Sequence, residues 1–263
     1  MTLYGDLFRY GDLFRNLFRR EMSVKYRGSV LGLGWTLVLP VVLMGVYTVV
    51  FSVLLKAVDI HHYPLFLLSG LVTWVFFQGA IQSSCTSLLG QASLVKQVRF
   101  PRQLLPFAVV ATNAVTLLVM LTVIIPVNLI VIPETRSTFW VAIPLVLPLV
   151  ALAGSLALVL ASITVIFRDV EHLLTAVLLP WFFLTPVFYT FDLPGIGSHP
   201  KLVDVIHYGN PVTPFVLAIR DPIFFGRFPQ VGDVAYVIVA ALVALAVAAA
   251  VFRRVDDQLA AHL

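Results

Sequence analysis

The sequence predicts an all-α polytopic membrane protein with six membrane-spanning helices. Of its 263 residues, 60% are apolar and only 11% are charged, whereas soluble domains are about 45–50% apolar and about 25% charged. A surplus of this size exceeds what one globular core of this length can bury, so its natural solvent is lipid. Basic residues lie in short clusters between long apolar stretches, a pattern that sets membrane topology and argues against nucleic-acid binding.

Six stretches are long and apolar enough to cross a membrane, which takes about 20 residues. The first five contain no charged residue, and the sixth has only Asp233 at its edge. They cover residues 31–55, 64–89, 104–132, 140–166, 173–191 and 232–252. Pro180 and Pro186 flank an aromatic run in the fifth stretch, so we expect a kinked or broken helix there. Lysine and arginine are concentrated on the side that holds both termini, which predicts that both are cytoplasmic.

Residues 1–30 form a separate segment before the first span. On helical spacing, apolar and aromatic residues share one face and arginines lie towards the other, which predicts an amphipathic helix in the membrane interface. The apolar face comprises Leu3, Leu7, Tyr10, Phe14 and Leu17. A simple anchor and a gate or docking helix both fit this pattern. A tandem hexapeptide repeat over residues 4–15 is interpreted as an incidental duplication within the helix.

Two segments outside the spans have unusual composition. Residues 91–103, between spans two and three, are basic and carry apolar groups that a partner protein would cover, although topology alone also explains the charge. The candidate contacts there are Lys96, Arg99, Phe100, Pro101 and Arg102. Residues 192–231 alternate prolines and glycines with apolar pieces too short to cross the membrane. They predict a re-entrant outer hairpin between spans five and six, with a disordered loop as the alternative.

Missing motifs narrow the class of protein. No ionisable residue lies inside a predicted span, which disfavours an ion-coupled carrier. The chain has no helical zinc pattern and no nucleophile elbow, and no lysine follows a glycine as a phosphate-binding loop requires. We therefore expect no metal, cofactor or catalytic residue on this chain. Any ATP and Mg²⁺ would be bound by a partner, so the chain is expected to be a permease driven by a separate ATPase.

An ordered series of motifs resembles the type-2 ABC transporter permeases that export polysaccharides such as O-antigen and teichoic acid. The motifs are YRGSVLGLGW at residues 26–35, VRFPR at 98–102, FRDV at 167–170, LTPVFY at 184–189, and GNP at 209–211 together with Arg220. The resemblance implies a homodimer with two copies of an ATPase subunit in the bacterial cytoplasmic (inner) membrane. Its substrate would be a glycan on undecaprenyl diphosphate. The resemblance also implies that the N-terminal helix is a gate and that residues 91–103 couple to the ATPase.

A sugar polymer needs a path of hydroxyl partners and flat aromatic faces that make weak, repeated contacts. The candidates for this path are Trp74, Phe77, Gln78, Gln82, Trp181, Phe182, Phe188 and Tyr189. An ordinary interfacial aromatic belt is the alternative. A carrier diphosphate needs cations at the inner boundary, for which the candidates are Arg19, Arg20, Lys25 and Arg27. Simple attraction to anionic headgroups explains these equally well. For the whole protein, the rival functions are export of teichoic acid, a drug or a small lipid, and a passive channel or structural role.

Overall fold

The computed structural model describes residues 4–5, 9–54, 60–92, 100–191 and 200–262, with side chains up to residue 255. Within these ranges every regular element is helical, which confirms the all-α prediction. The α-helices are α1 (Gly11–Tyr26), α2 (Trp35–Tyr47), α3 (Tyr63–Cys85), α4 (Leu104–Val131), α5 (Ala142–Ile166), α6 (Val170–Leu184), α7 (Pro200–Tyr208), α8 (Thr213–Arg220) and α9 (Val231–His262). Helix α2 continues as a π-helical segment, Thr48–Leu54.

Five helical segments of the described chain are long and apolar enough to cross a membrane. They are Gly32–Leu54, Tyr63–Cys85, Leu104–Val131, Phe139–Ile166 and Val231–Val255. Helix α3 is central, since 67% of its hydrophobic stretch is buried, against 6% for the first span. It packs against α4 and α5, while α9 packs along α5.

The fifth predicted span is shorter than expected. Helix α6 has 15 residues and ends at Leu184, ahead of an extended Thr185. Proline disfavours helical backbone in the residue before it, so Pro186 explains why the helix stops there. Next come α7 and α8, which meet at an angle of 88°. This bend within residues 200–225 fits the predicted re-entrant hairpin and equally fits one broken span.

The apolar face of α1 packs on protein, whereas the sequence suggested that it faces lipid. Leu17 is buried in an apolar cluster made by Leu88, which follows α3, and by residues of α4, α5 and α9. Tyr10 and Phe14 pack against the same cluster. Tyr4 also packs there, and its hydroxyl donates to the carbonyl of Leu245 at 2.6 Å. The first residues of the two repeat copies, Tyr4 and Tyr10, therefore contact the same cluster.

Candidate functional site

Helix α3 presents a polar and aromatic stripe on one face. Trp74, Gln78 and Gln82 recur every four residues, so they lie above one another on the helix. The indole Nε1 of Trp74 donates to Oε1 of Gln78 at 2.8 Å. All three side chains line a cavity of about 390 Å³ between α2, α3 and α6. Phe182 of α6 closes another side of this cavity. Four of the eight predicted path residues thus meet in one place.

The other four predicted path residues are held in the core and do not line this cavity. Phe77 is completely buried and meets the edge of Trp181 at 5.3 Å between ring centres. The Nε1 of Trp181 donates to Oδ1 of Asn210 at 2.8 Å. Tyr189 donates its hydroxyl to the carbonyl of Leu184 at 3.1 Å, and Phe188 stacks 4.9 Å from Phe51. Their aromatic surfaces stabilise the packing of α3, α6 and the hairpin.

A second cavity, of about 850 Å³, lies at the C-terminal end of α1. Lys25 and Arg27 line it, together with Asn113 and Thr116 of α4. The Nζ of Lys25 donates to Oδ1 of Asn113 at 3.1 Å and to Oγ1 of Thr116 at 3.2 Å. Although much of the Lys25 side chain is exposed, partial burial lowers the pKa of its ammonium group from the ordinary value. The cavity therefore pairs two cations with neutral hydrogen-bonding groups.

The two remaining predicted phosphate contacts lie elsewhere on α1. Arg19 is exposed, and Arg20 donates from Nη1 to Oε1 of Gln91 at 3.1 Å. Neither lines the second cavity. Of the four predicted cations, only Lys25 and Arg27 therefore line the second cavity.

The two cavities adjoin. Leu39, Val75 and Gly79 line both of them. The junction is narrow at Gly79, where an added Cβ would lie 3.1 Å from Oδ1 of Asn113. The two cavities therefore meet beside α3, with Lys25 lining one of them and Trp74 and Phe182 lining the other.

The predicted ATPase-docking segment is partly described. Lys96 and Arg99 lie outside the described residues, whereas Phe100, Pro101 and Arg102 lie within them and are half-buried. Phe100 packs against the apolar cluster that contains Leu17 of α1. Part of the apolar surface that was predicted to contact a partner protein is therefore covered by the chain itself. In the described part of the chain, no cluster of three or more His, Cys, Asp or Glu side chains is placed to hold a metal ion.

Sequence reasoning named Arg220 only as part of the family resemblance and gave it no structural role. Its side chain is fully buried and lies 4.1 Å from the centre of the Phe66 ring. Its terminal nitrogens donate to the carbonyls of Pro186 and Val187. The signal available in the sequence was the adjacent charged pair Arg220 and Asp221 inside an otherwise apolar piece, residues 214–225. Asn113 and Gln91 gave no comparable signal.

A bundle of membrane-spanning helices, with adjoining cavities and an amphipathic helix at one end, is the arrangement expected of a membrane permease. The chain belongs to the ABC-2 type transporter family, whose profile matches residues 12–224. It is the transmembrane permease subunit of an ABC exporter, and ATP hydrolysis belongs to a separate ATPase subunit with which it works.

Three curated relatives share the name O-antigen export system permease protein RfbA. The relative from Myxococcus xanthus is 29% identical over 262 residues, covering 99% of this chain and 98% of its own. Two from Klebsiella pneumoniae are 28% and 27% identical over 212 residues, covering 80% of this chain and 79% of theirs. The similarity to the Myxococcus protein thus extends over nearly the whole of both chains.

Proposed function

We propose that this permease exports a polysaccharide linked to undecaprenyl diphosphate, an O-antigen-like glycan, across the bacterial cytoplasmic membrane. The names of the three relatives support the O-antigen assignment. The working assembly is a homodimer with two ATPase subunits, and both termini are cytoplasmic. Residues 1–30 act as the gate and residues 31–263 as the permease domain.

The observation that carries the proposal is the junction of the two cavities at Leu39, Val75 and Gly79. At one end, Lys25 and Arg27 offer the cations that a diphosphate needs. We call this end the loading cavity. At the other end, Gln78 and Gln82 offer amides to sugar hydroxyls, beside a largely buried aromatic wall formed by Trp74 and Phe182. A cationic site beside a cavity lined with amides suits a substrate that carries both a diphosphate and a glycan.

Rival functions fit this arrangement less well. A drug or small lipid has no need of amides spaced along such a cavity. Teichoic acid export uses the same contacts and is separated from O-antigen export by the test below. Membership of the ABC-2 family argues against a passive channel, because ABC exporters are driven by ATP.

The experiment is export of lipid-linked glycan by proteoliposomes that contain the permease and its ATPase subunit. Gln78→Leu plus Gln82→Leu removes the amides and keeps side-chain size. The matched control is Thr122→Val, because Thr122 is exposed on α4 and bonds only within its own helix. We expect the double variant to lose most glycan export while it still copurifies with the ATPase. Wild-type export by the double variant would reject the proposed path, and transport of a teichoic acid carrier alone would reassign the substrate.

The segment 91–103 is proposed to dock on the ATPase. Reversing charge with Arg99→Glu plus Arg102→Glu is expected to weaken copurification of the two subunits. If copurification and ATP-driven export both stay at the wild-type level, docking lies elsewhere.

A further inference from the structure

A third cavity, polar and of about 700 Å³, lies at the end of the bundle opposite α1. Asp233 at the start of α9 lines it, whereas Ala248 and Phe252, further along α9, pack with Leu17 of α1. Residues of α7, of α8 and of the chain that follows α6 form most of the remaining wall. With both termini in the cytoplasm, as proposed above, this cavity lies on the outer side of the membrane.

The third cavity carries charges of both signs that are only partly matched within the protein. Oδ1 of Asp221 accepts from Arg227 at 2.9 Å, yet the Arg227 side chain remains 59% exposed. Oδ1 of Asp233 and Nε2 of His207 lie 2.7 Å apart. Asp204 is exposed, and no described residue pairs with its carboxylate. A ligand with one cationic and one anionic group would therefore match the two exposed charges, Asp204 and Arg227.

One buried donor in the wall of the third cavity also lacks a partner. Arg220 lines the cavity and is fully buried. Its terminal nitrogens donate to the carbonyls of Pro186 and Val187, but its Nε has no hydrogen-bond partner among the described residues. A buried donor without a partner is costly, so we expect an oxygen atom of a bound molecule beside it.

An apolar groove adjoins the third cavity. It lies between α5 and the N-terminal half of α9, and Tyr208 lines both the groove and the cavity. The Tyr208 hydroxyl lies over Gly232, where an added Cβ would be 3.3 Å from it. The groove follows α9 from Gly232 to Val247, which is about 22 Å at about 1.5 Å per residue. This length exceeds half of the roughly 30 Å hydrocarbon thickness, so the groove can hold an acyl chain of one leaflet.

We propose that the third cavity and the apolar groove together bind a phospholipid with a primary ammonium headgroup, with phosphatidylethanolamine as the probe. The ammonium donates to Asp204, the phosphate lies beside Arg227, and one acyl chain occupies the groove. A primary ammonium has three N–H donors for a carboxylate, whereas a choline headgroup has none, and a guanidinium suits phosphate. A neutral sugar would leave both exposed charges unmatched. The lipid bridges α7 and α9, and its binding is independent of the exported substrate.

Lipid binding to the purified complex of permease and ATPase tests the headgroup. Native mass spectrometry compares phosphatidylethanolamine, phosphatidylcholine and phosphatidylglycerol with identical acyl chains. We expect phosphatidylethanolamine to bind most tightly, and Asp204→Asn to weaken its binding about fivefold without weakening that of phosphatidylglycerol. Asp169→Asn is the matched control, because Asp169 is an exposed aspartate at the start of α6 that lines neither the third cavity nor the groove. Binding of either other lipid as tight as that of phosphatidylethanolamine, or no effect of Asp204→Asn, overturns the proposal.

A second set of variants tests the apolar groove and leaves the charges in place. Gly232→Leu fills the groove beside Tyr208 and should reduce binding of all three lipids. Gly45→Leu adds the same side chain where no atom lies within 4 Å of the added Cβ, and should bind them normally. Ala235→Leu, at an exposed position in the groove, serves if Gly232→Leu does not fold. Unchanged lipid binding by the groove variants contradicts the site.

Photocross-linking locates the lipid on the wild-type chain in proteoliposomes. Phosphatidylethanolamine with a diazirine in one acyl chain should label peptides that contain residues 232–247, and labelling confined to other segments would rule the groove out. Because Cys85 is buried, Ala235→Cys supplies a reactive thiol in the groove. Efficient cross-linking of two chains through it would show that a second copy, rather than lipid, covers the groove. None of these readouts requires glycan export, so failure of the proposed export function would leave their outcome intact.

Discussion

The guanidinium of Arg220 lies over the ring of Phe66, 4.1 Å from its centre, and donates to the carbonyls of Pro186 and Val187 at 2.7 and 2.8 Å. These carbonyls lie beyond the end of α6, where no helical turn follows to supply amide partners. The planar guanidinium of Arg220 donates to both carbonyls and stacks on the Phe66 ring of α3. One buried cation therefore holds α8 against α3 and against the chain that follows α6.

Arg220→Lys is expected to destabilise the protein nearly as much as Arg220→Ala. A lysine cannot form the paired, stacked contact of a guanidinium, and loss of two charged hydrogen bonds costs about 3 kcal/mol. Unfolding of the purified permease in detergent measures the effect. Arg136→Lys is the control, since exposed Arg136 bonds one carbonyl through Nε. Equal stability of the two lysine variants would contradict the role of the guanidinium.

Gly70→Ala should also loosen the hairpin. A Cβ at residue 70 would collide with the Arg220 guanidinium and lie 3.1 Å from the carbonyl oxygen of Val187. Overpacking of this kind costs about 1–3 kcal/mol. Thermal unfolding in detergent should show a lower midpoint for Gly70→Ala. Gly45→Ala serves as the comparison, because no atom lies within 4 Å of its added Cβ, and it should leave the midpoint nearly unchanged.

Gly79→Leu should block the junction between the two cavities. Its side chain would fill the narrow point opposite Asn113, so export should fall sharply while copurification with the ATPase continues. Gly45→Leu adds the same side chain in open space and should export normally. Equal export by both variants would show that substrate does not pass Gly79.

Deprotonation of Lys25 should weaken substrate binding at alkaline pH. Burial lowers the pKa of its ammonium group, so as pH rises it loses its charge earlier than an ordinary lysine does. The charged form is the one that attracts a diphosphate, so the KM for the lipid-linked glycan should rise with pH in the wild type. Lys25→Arg should delay this rise, since arginine stays protonated. Lys201→Arg is the control, and coincident profiles of wild type and Lys25→Arg would exclude Lys25 from capture.

Phe77→Ala should mainly reduce stability, whereas Gln82→Leu should mainly reduce export. Phe77 is completely buried, so its truncation should lower the free energy of unfolding by about 3–5 kcal/mol. Gln82→Leu should leave stability nearly unchanged and reduce export. Chemical unfolding and export assays on both variants measure the contrast. A stable Phe77→Ala variant that fails only in export would instead place Phe77 in the path.

The helical nature of the spans and most of their bounds could be predicted from composition, because lipid leaves the backbone few alternatives to the helix. The pair Pro180 and Pro186 correctly indicated a disturbed fifth span, and α6 ends at Leu184, two residues before Pro186. The face of α1 that carries Tyr10, Phe14 and Leu17 was also predictable from helical spacing. That this face packs on protein was not, because protein and lipid offer a leucine equally apolar surroundings.

The sequence by itself determined that this chain is an all-helical membrane protein, through the length of its apolar stretches, and its ordered motifs indicated a permease. It also named Trp74, Gln78 and Gln82 as path candidates by residue type, and their spacing by four places them on one face of a helix. Only the tertiary structure decided that Lys25 meets Asn113 and Thr116, that Gln91 bonds Arg20 and Glu21, and that Arg220 supports the end of α6. Each of these contacts joins residues at least 33 positions apart, and such pairings follow from how helices pack rather than from any local pattern.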